Sequence, residues 1–597
     1  PVTNDTDPRL DWSPEGEPRS GRFGDVYFSK DDGLAESRAV FLAGCGLPNA
    51  WAGRRRFVVG ELGFGTGLNI AALLMLWRES RPAGARLNVF SIEAYPLSRE
   101  EARRALAAWP EIAPAAEALL AAWPESTPGL HRLDLPQFGA VVDLFIGEVE
   151  TALSQWTGRA DAWFLDGFSP ALNPAMWSEA VMDGVAARSA PGARLATFTV
   201  AGHVRRALGA RGFQVEKRPG HGRKRERLEA RLEPVPGREP PIGRVAVVGA
   251  GIAGAAVARA LAAEGVSVSV IDADQGVEAS GFPLALVTPR LDAGDVAIAG
   301  FHAQALARAV DLYRAVPDAV ATDGVLQMES LPRDARRFDR IAEQTLWPPH
   351  GMARLDADEA AARLGEASPT GGLWMGAALA VRPERLRHAF LGTAHRITTQ
   401  VASMVRKEGV WRLFDAEQGL ICAAETIVLC GGWAGAGLWP DAPLAPVRGQ
   451  ADWAASSSHP RAVAWGGYAV ADGQTLLFGA THDRADVGCD TRQGDTARNL
   501  QQLASRLPDL AQTIQGAALE SRAAVRATTP DRMPLAGQIG DALFVLGGLG
   551  SRGFCVAPLL AEHIAAQIAG APSPLSSDHA RLVAPLRFVK PEGLRSD

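Results

Sequence analysis

Short runs of branched and aromatic residues, each stopped by a glycine or an acid, recur along the chain and alternate with stretches of helical periodicity. Residues 57–59 read as a buried strand; Glu61, Gly63, Gly65 and Gly67 follow, and then a helical run over 68–77. Further strands over 88–92, 141–146 and 162–165 stop at Glu93, at Gly147-Glu148 and at Asp166-Gly167-Phe168-Ser169-Pro170. The pattern then restarts. A strand over 244–248 meets Gly249, Gly251 and Gly254, which open a helix through residue 262, and a strand over 266–271 stops at Asp272. Later come a strand over 426–430 with Gly431-Gly432, and a helix over 556–568 preceded by the glycine-rich run 547–553. Two such starts predict an α/β chain with two nucleotide-type cofactor domains. Between them, residues 234–241 read PVPGREPP, a linker by its loss of backbone donors. The expected division is 1–233, a Pro-rich linker over 234–242, and 243–597. Residues 1–56 form an N-terminal extension, and about 291–420, poor in glycine punctuation, form a substrate-side insertion.

Composition narrows the class. With 47% apolar and 21% charged residues and a net charge of −6 over 597 residues, the chain is globular rather than disordered or fibrous. No apolar run reaches the roughly 18 residues of a membrane span, and the polar start at Pro1–Asp5 lacks a secretory core. The five cysteines (Cys45, Cys422, Cys430, Cys489, Cys555) are scattered without a C-x-x-C pair, which excludes a disulfide scaffold and a cysteine zinc ribbon. The expectation is a soluble, reduced, cytoplasmic protein with no metal site.

The chemistry lies at the strand ends, where open α/β sheets hold ligands. Alternate glycines let a ligand approach the backbone, and the helix that follows offers free amides. The spacing of Glu61, Gly63, Gly65 and Gly67 suits S-adenosylmethionine rather than a dinucleotide. Glu93 then suits the ribose hydroxyls, and Gly147-Glu148 the adenine amine. Each feature alone also suits a tight turn, a helix cap or a solvated acid. In the second half, Gly249, Gly251, Gly254 and Asp272 complete the dinucleotide fingerprint. Ser280 and Gly281 follow closely, and Gly548, Gly550, Ser551, Arg552 and Gly553 lead into a helix whose N-terminus suits an anionic reduced flavin; FAD is the expected cofactor.

Charge is concentrated at 205–231. Arg205, Arg206, Arg211, Lys217, Arg218, Arg223, Lys224, Arg225, Arg227 and Arg231 face only Glu216, Glu226 and Glu229, the footprint of a polyanion partner. Charge alone leaves RNA, DNA, an acidic domain and a solvated face open. The segment 525–531 resembles the part of glycine and sarcosine oxidases where an arginine grips the substrate carboxylate. That resemblance assigns the grip to Arg526, with a surface ion pair as the alternative. For Arg448, a structural role near the flavin is equally open.

Taken together, residues 25–29 with 33–37, 61–67, 161–168, 222–226, 446–450 and 550–558 resemble the MnmC family of bifunctional tRNA-modification proteins, over nearly the whole chain. The resemblance implies a Rossmann-like methyltransferase domain using S-adenosyl-L-methionine, joined to an FAD-binding, glycine-oxidase-like domain (α/β plus antiparallel sheet). It also implies work on the wobble uridine, U34, of tRNA. The oxidase half would convert 5-carboxymethylaminomethyl-uridine, often 2-thiolated, to the 5-aminomethyl form, and the methyltransferase half would then make 5-methylaminomethyl-uridine. Arg526 would hold the carboxylate, and Asp166, with Phe168 against the base, would orient the amine and take its proton. Arg205, Arg206, Lys217, Arg218, Arg223, Lys224 and Arg225 would contact tRNA. No DNA, membrane or obligate protein partner is implied. Leu172 stands where the family usually has lysine, Glu148 replaces a shorter acid, and the loop 281–284 is unusually apolar. A pair of small-molecule enzymes without RNA, and a tRNA-binding protein with one inactive domain, are the rival readings.

Overall fold

The computed structural model describes residues 7–13, 17–28, 32–222, 225–235, 242–274, 276 and 278–588. The chain forms two units, Pro1–Pro240 with Ala571–Ser577, and Pro241–Gly570 with Asp578–Asp597. Among the described residues, no helix is long and apolar enough to cross a membrane.

The first unit is built on an eight-stranded sheet ordered Gly129–Leu135, Ala140–Ile146, Arg86–Glu93, Arg56–Leu62, Ala160–Leu165, Ser189–Thr197, Glu226–Arg231, Gln214–Pro219. The five strands from Ala140–Ile146 to Ser189–Thr197 are parallel. Antiparallel partners close both edges. Buried on both faces, these strands are almost continuously apolar, as parallel strands must be. Trp77 and Trp51 fill one face, at 5.0 Å between rings, and Phe90 stacks on Trp156 at 4.3 Å on the other. The chain builds Arg56–Leu62, Arg86–Glu93 and Ala140–Ile146 outward on one side, then returns to place Ala160–Leu165 on the other. That reversal opens a crevice at the carboxyl ends, where the glycine turn and three of the acids converge. The basic stretch forms the helix Gly202–Ala210 and the edge hairpin Gln214–Pro219/Glu226–Arg231.

In the second unit a six-stranded sheet runs His395–Thr398, Val268–Asp272, Val245–Val248, Thr426–Leu429, Leu543–Gly547, Leu535–Gly540, parallel except for the last pair. The helices Ile252–Ala263, Gly553–Ala569 and Val296–Arg314 are tied together by Glu562, which takes Arg308 at 2.6 Å and Arg259 at 2.7 Å. A second, mixed sheet of ten strands includes Val320–Met328, Gly372–Val381, Ala445–Ala455 and Glu520–Thr528. The stretch 291–420 is therefore not one insertion. Its middle joins the mixed sheet, His395–Thr398 edges the cofactor sheet, and Ser403–Lys407 and Val410–Phe414 pair with Leu420–Ala424 in a small antiparallel sheet.

Candidate active sites

In the first unit the crevice is a cavity of about 590 Å³ whose wall includes Gly63, Gly65, Glu93, Gly147, Glu148, Asp166 and Phe168. The turn needs its glycines. Gly63 has φ +90°, and a Cβ there would lie 2.3 Å from the Asp166 carbonyl oxygen. Glu93 braces the turn, accepting from Gly65 N and Tyr95 N at 2.9 Å each, and burial pushes its carboxyl upward. Glu148 occupies the N-cap position of Val149–Gln155 but makes no side-chain cap hydrogen bond, so its carboxylate is left to the cavity.

Two of the expected ligand residues do not reach the cavity wall. Glu61 points beneath the turn and is fully buried, because its strand is covered on both faces. It accepts from Ser91 Oγ at 2.5 Å and from Asn69 Nδ2 at 3.2 Å, and burial, reinforced by the nearby Asp166 charge, pushes its carboxyl up to about 8. Gly67 is the N-cap of Leu68–Ser80 at φ +79°, so it makes the turn rather than meeting a ligand. The same Asn69 Nδ2 donates to Asp166 Oδ2 at 2.6 Å, which fixes that oxygen and orients the carboxylate.

The N-terminal extension supplies a wall that patterning did not reveal. Phe23 and Tyr27 meet the Phe168 ring at 5.0 and 5.4 Å, and Asp25 Oδ2 accepts from Ser169 N at 3.1 Å. His221, at the tip of the basic hairpin, lines the same cavity. Several of that strip's charges are locally compensated: Lys217 by Glu226 (2.7 Å), Arg218 by Glu216 (2.5 Å), Arg211 by Asp183 (2.7 Å). Arg205, Arg206 and Arg225 are exposed, without a side-chain partner among the described residues. Arg223 and Lys224 lie outside the described residues.

The second unit holds a cavity of about 540 Å³ lined by Gly249, Gly251, Asp272, Ser280 and the run Gly548, Gly550, Ser551, Arg552 and Gly553. The three fingerprint glycines divide the work. A Cβ at Gly249 would lie 2.7 Å from the Cys430 carbonyl oxygen, and Gly251 faces the cavity. Gly254 is off the wall, where a Cβ would sit 1.7 Å from the Gly249 carbonyl oxygen; it permits helix–strand contact instead. Asp272 Oδ2 accepts from Ala250 N at 2.6 Å, and Ser280 Oγ accepts from Ile252 N at 3.1 Å. Gly281 is also off the wall, because the Arg522 guanidinium covers it and donates to its carbonyl. These glycines, a helix N-terminus and a strand-end acid fit a flavin dinucleotide.

Arg526 lines this cavity, and among the described residues no carboxylate pairs with it. Burial pushes its guanidinium down from the usual arginine range, opposed by Tyr468 on the same wall. Gly449 makes room for it: a Cβ there would come within 2.5 Å of Arg526 Nη2. Arg448 is the opposite case. It is fully buried off the cavity, donating to Asp495 Oδ2 (2.5 Å) and to the Gly488 and Asp490 carbonyls (3.0 and 2.5 Å), so its role is structural. Arg552 donates to Thr288 Oγ1 at 2.7 Å and stands at the N-cap position of Gly553–Ala569.

Residues 110–233 match the family model of S-adenosyl-L-methionine-dependent methyltransferases, and residues 244–567 that of FAD dependent oxidoreductases. Relatives bearing the name tRNA 5-methylaminomethyl-2-thiouridine biosynthesis bifunctional protein MnmC are similar from end to end. One from a Caulobacter species is 55% identical over 97% of each chain, and one from Caulobacter vibrioides is 55% identical over 98% of each. A third, from Maricaulis maris, is 42% identical over 98% of this chain and 97% of its own. The two units are thus a methyltransferase using S-adenosyl-L-methionine and an FAD-dependent oxidoreductase, and the chain belongs to the family of MnmC bifunctional proteins.

Proposed function

We propose that the protein completes a modification of the wobble uridine of tRNA in the cytoplasm. Its oxidoreductase removes the carboxymethyl group of 5-carboxymethylaminomethyl-(2-thio)uridine, and its methyltransferase N-methylates the resulting amine to 5-methylaminomethyl-(2-thio)uridine. The observation that carries this reading is Arg526, a half-buried cation on the wall of the flavin cavity that has no carboxylate of its own among the described residues. A carboxymethylamino group is an N-substituted glycine, and its carboxylate is the partner this guanidinium lacks. The relatives' printed names supply the nucleoside.

Bound FAD supplies a two-electron acceptor, and bound S-adenosyl-L-methionine an electrophilic methyl group. Gly249, Gly251, Asp272, Ser280 and the 548–553 run hold the first; Gly63, Gly65, Glu93, Gly147 and Glu148 hold the second. Arg526 pins the substrate carboxylate and so fixes the methylene carbon between it and the amine. Loss of two electrons and two protons across that carbon–nitrogen bond gives an imine on the substrate. Water adds to the imine and releases glyoxylate and the primary amine. In the other cavity the neutral amine attacks the methyl carbon as its bond to sulfur breaks, leaving S-adenosyl-L-homocysteine, and Asp166, with Oδ2 held by Asn69, orients the amine and accepts its proton. Phe168, backed by Phe23 and Tyr27, offers a face to the uracil ring. Arg205, Arg206, Lys217, Arg218 and Arg225 meet tRNA phosphates.

The rival pair of small-molecule enzymes is disfavoured by His221, which brings the tip of a basic hairpin to the methyltransferase cavity. The test is nucleoside mass spectrometry on tRNA bearing the carboxymethylaminomethyl uridine, incubated with oxygen, without and then with S-adenosylmethionine. The aminomethyl nucleoside followed by its methylated form is the expected outcome. An unchanged tRNA, with flavin bleached by free glycine or sarcosine, would favour the small-molecule pair.

A further inference from the structure

The mouth of the flavin cavity carries a ridge of arginines outside the fingerprint and outside the substrate grip. The helix Asp334–Ala342 buries Asp334, Phe338 and Ile341 on one side. At 3.6 residues per turn, Arg333, Arg336, Arg337 and Arg340 fall within an arc of about 100° on another side. One end of the ridge is fixed to the cavity. Arg337 lines the wall and donates to the Leu291 carbonyl at 2.6 Å, and Arg340 donates to the Ala293 carbonyl. Gln344 Nε2 reaches the Asp292 carbonyl at 2.8 Å, so three residues bind the helix to the loop at the cavity rim.

Both acids within the helix have partners, one of them a member of the arc. Asp334 accepts from the Ser330 and Leu331 amides at 2.9 Å each, while lying 3.7 Å from Arg337. Asp339 takes Arg354 Nε at 3.0 Å. Glu343, the C-cap residue, is the acid nearest the arc. Arg333 and Arg336 are exposed, and neither has a side-chain partner among the described residues. Four cations in line, two tied down beside the cavity and two exposed without partners, form a track for a chain of phosphates rather than a site for one small anion.

We infer that this helix receives the RNA backbone flanking the nucleotide whose side group enters the flavin cavity, giving the oxidoreductase unit a phosphate track of its own. The inference rests on the proposed tRNA substrate and deepens it: a base cannot enter the cavity without its neighbouring phosphates at the rim, and the rim is where the arginines stand.

The test compares the intact protein with R333Q/R336Q and with R396Q/K407Q. The control pair removes two exposed charges from His395–Thr398 and Ser403–Lys407. Oxidation of carboxymethylaminomethyl-tRNA is followed across a salt series. Two phosphate contacts to single-stranded RNA contribute a slope of about 1.4 in log KM against log salt. R333Q/R336Q should lose that slope and show a raised KM at low salt, with kcat at saturating tRNA retained, while the control pair keeps the parent slope. An unchanged slope in R333Q/R336Q, or the same loss in both pairs, overturns the track and leaves the tRNA reading standing. An intact protein that leaves the tRNA unoxidised overturns both.

Discussion

Replacing Arg526 with methionine separates a substrate grip from a structural ion pair, because the two roles move stability in opposite directions. A bidentate guanidinium–carboxylate contact amounts to two charge-assisted hydrogen bonds, about 1.5–3 kcal/mol each. Their loss should lower kcat/KM for decarboxymethylation by roughly 10²- to 10⁴-fold at about 1.4 kcal/mol per factor of ten. Stability should hold or rise, since desolvation disfavours the wild-type cation and no carboxylate among the described residues compensates it. Arg448 provides the contrast. Arg448→Met breaks a fully buried pair to Asp495 and strips donors from two carbonyls. That change should cost about 3–5 kcal/mol, toward the lower end because Arg498 also reaches Asp495 at 2.5 Å. The assays are release of the aminomethyl nucleoside at subsaturating tRNA, read by mass spectrometry, and thermal melting followed by flavin fluorescence. Methylation of pre-formed aminomethyl tRNA should be unaffected by Arg526→Met. A melting loss in Arg526→Met as large as that in Arg448→Met, or a kcat/KM within tenfold of wild type, would refute the assignment.

Asp166→Asn should halt the reaction at the aminomethyl nucleoside, leaving decarboxymethylation at its wild-type rate; loss of both activities would show that the two sites are not independent. Glu61 carries a pH prediction. Its folded-state value, about 8, lies above its ordinary 4.5, so its contribution to stability is full below pH 4.5 and is lost as pH rises toward 8. Glu61→Gln should therefore melt with wild type near pH 5 and above it at pH 8.5, and parallel melting curves across that range would contradict the burial argument. Gly254→Ala places a Cβ 1.7 Å from a backbone oxygen that cannot move aside cheaply. The purified protein should come out largely without flavin absorbance, and a full flavin content would mean that helix–strand contact is not what this glycine protects.

Both cofactor domains were legible because their signals are local. A branched strand, a glycine turn and an acid occupy some thirty residues, and the strands Arg56–Leu62, Ala140–Ile146 and Val245–Val248 lie where patterning puts them. What escaped depends on partners distant in sequence. Phe23 and Tyr27 look like ordinary aromatics in an extension until Phe168 is brought beside them. Glu61 reads as a ligand by its motif, yet covered strand faces turn it inward to Ser91 and Asn69. Gly449 carries no turn signal, because its reason is the volume of Arg526 on the neighbouring strand. The fate of 291–420 depends on a parallel pairing of His395–Thr398 with Val268–Asp272, which loop-level reading cannot supply.

The composition of the first unit also bears on how the protein is made. It takes in Ala571–Ser577, where Ser577 Oγ donates to Gln155 Oε1 at 3.0 Å and the Pro572 carbonyl accepts from Arg132. Those residues leave the ribosome only after Pro241–Gly570 of the oxidoreductase unit, some tens of seconds after the methyltransferase sheet at about 5–20 residues per second. The methyltransferase sheet can form early, but its last contacts wait until Ala571–Ser577 have emerged. A nascent chain stalled within the second half would carry a methyltransferase that is assembled but not yet fastened.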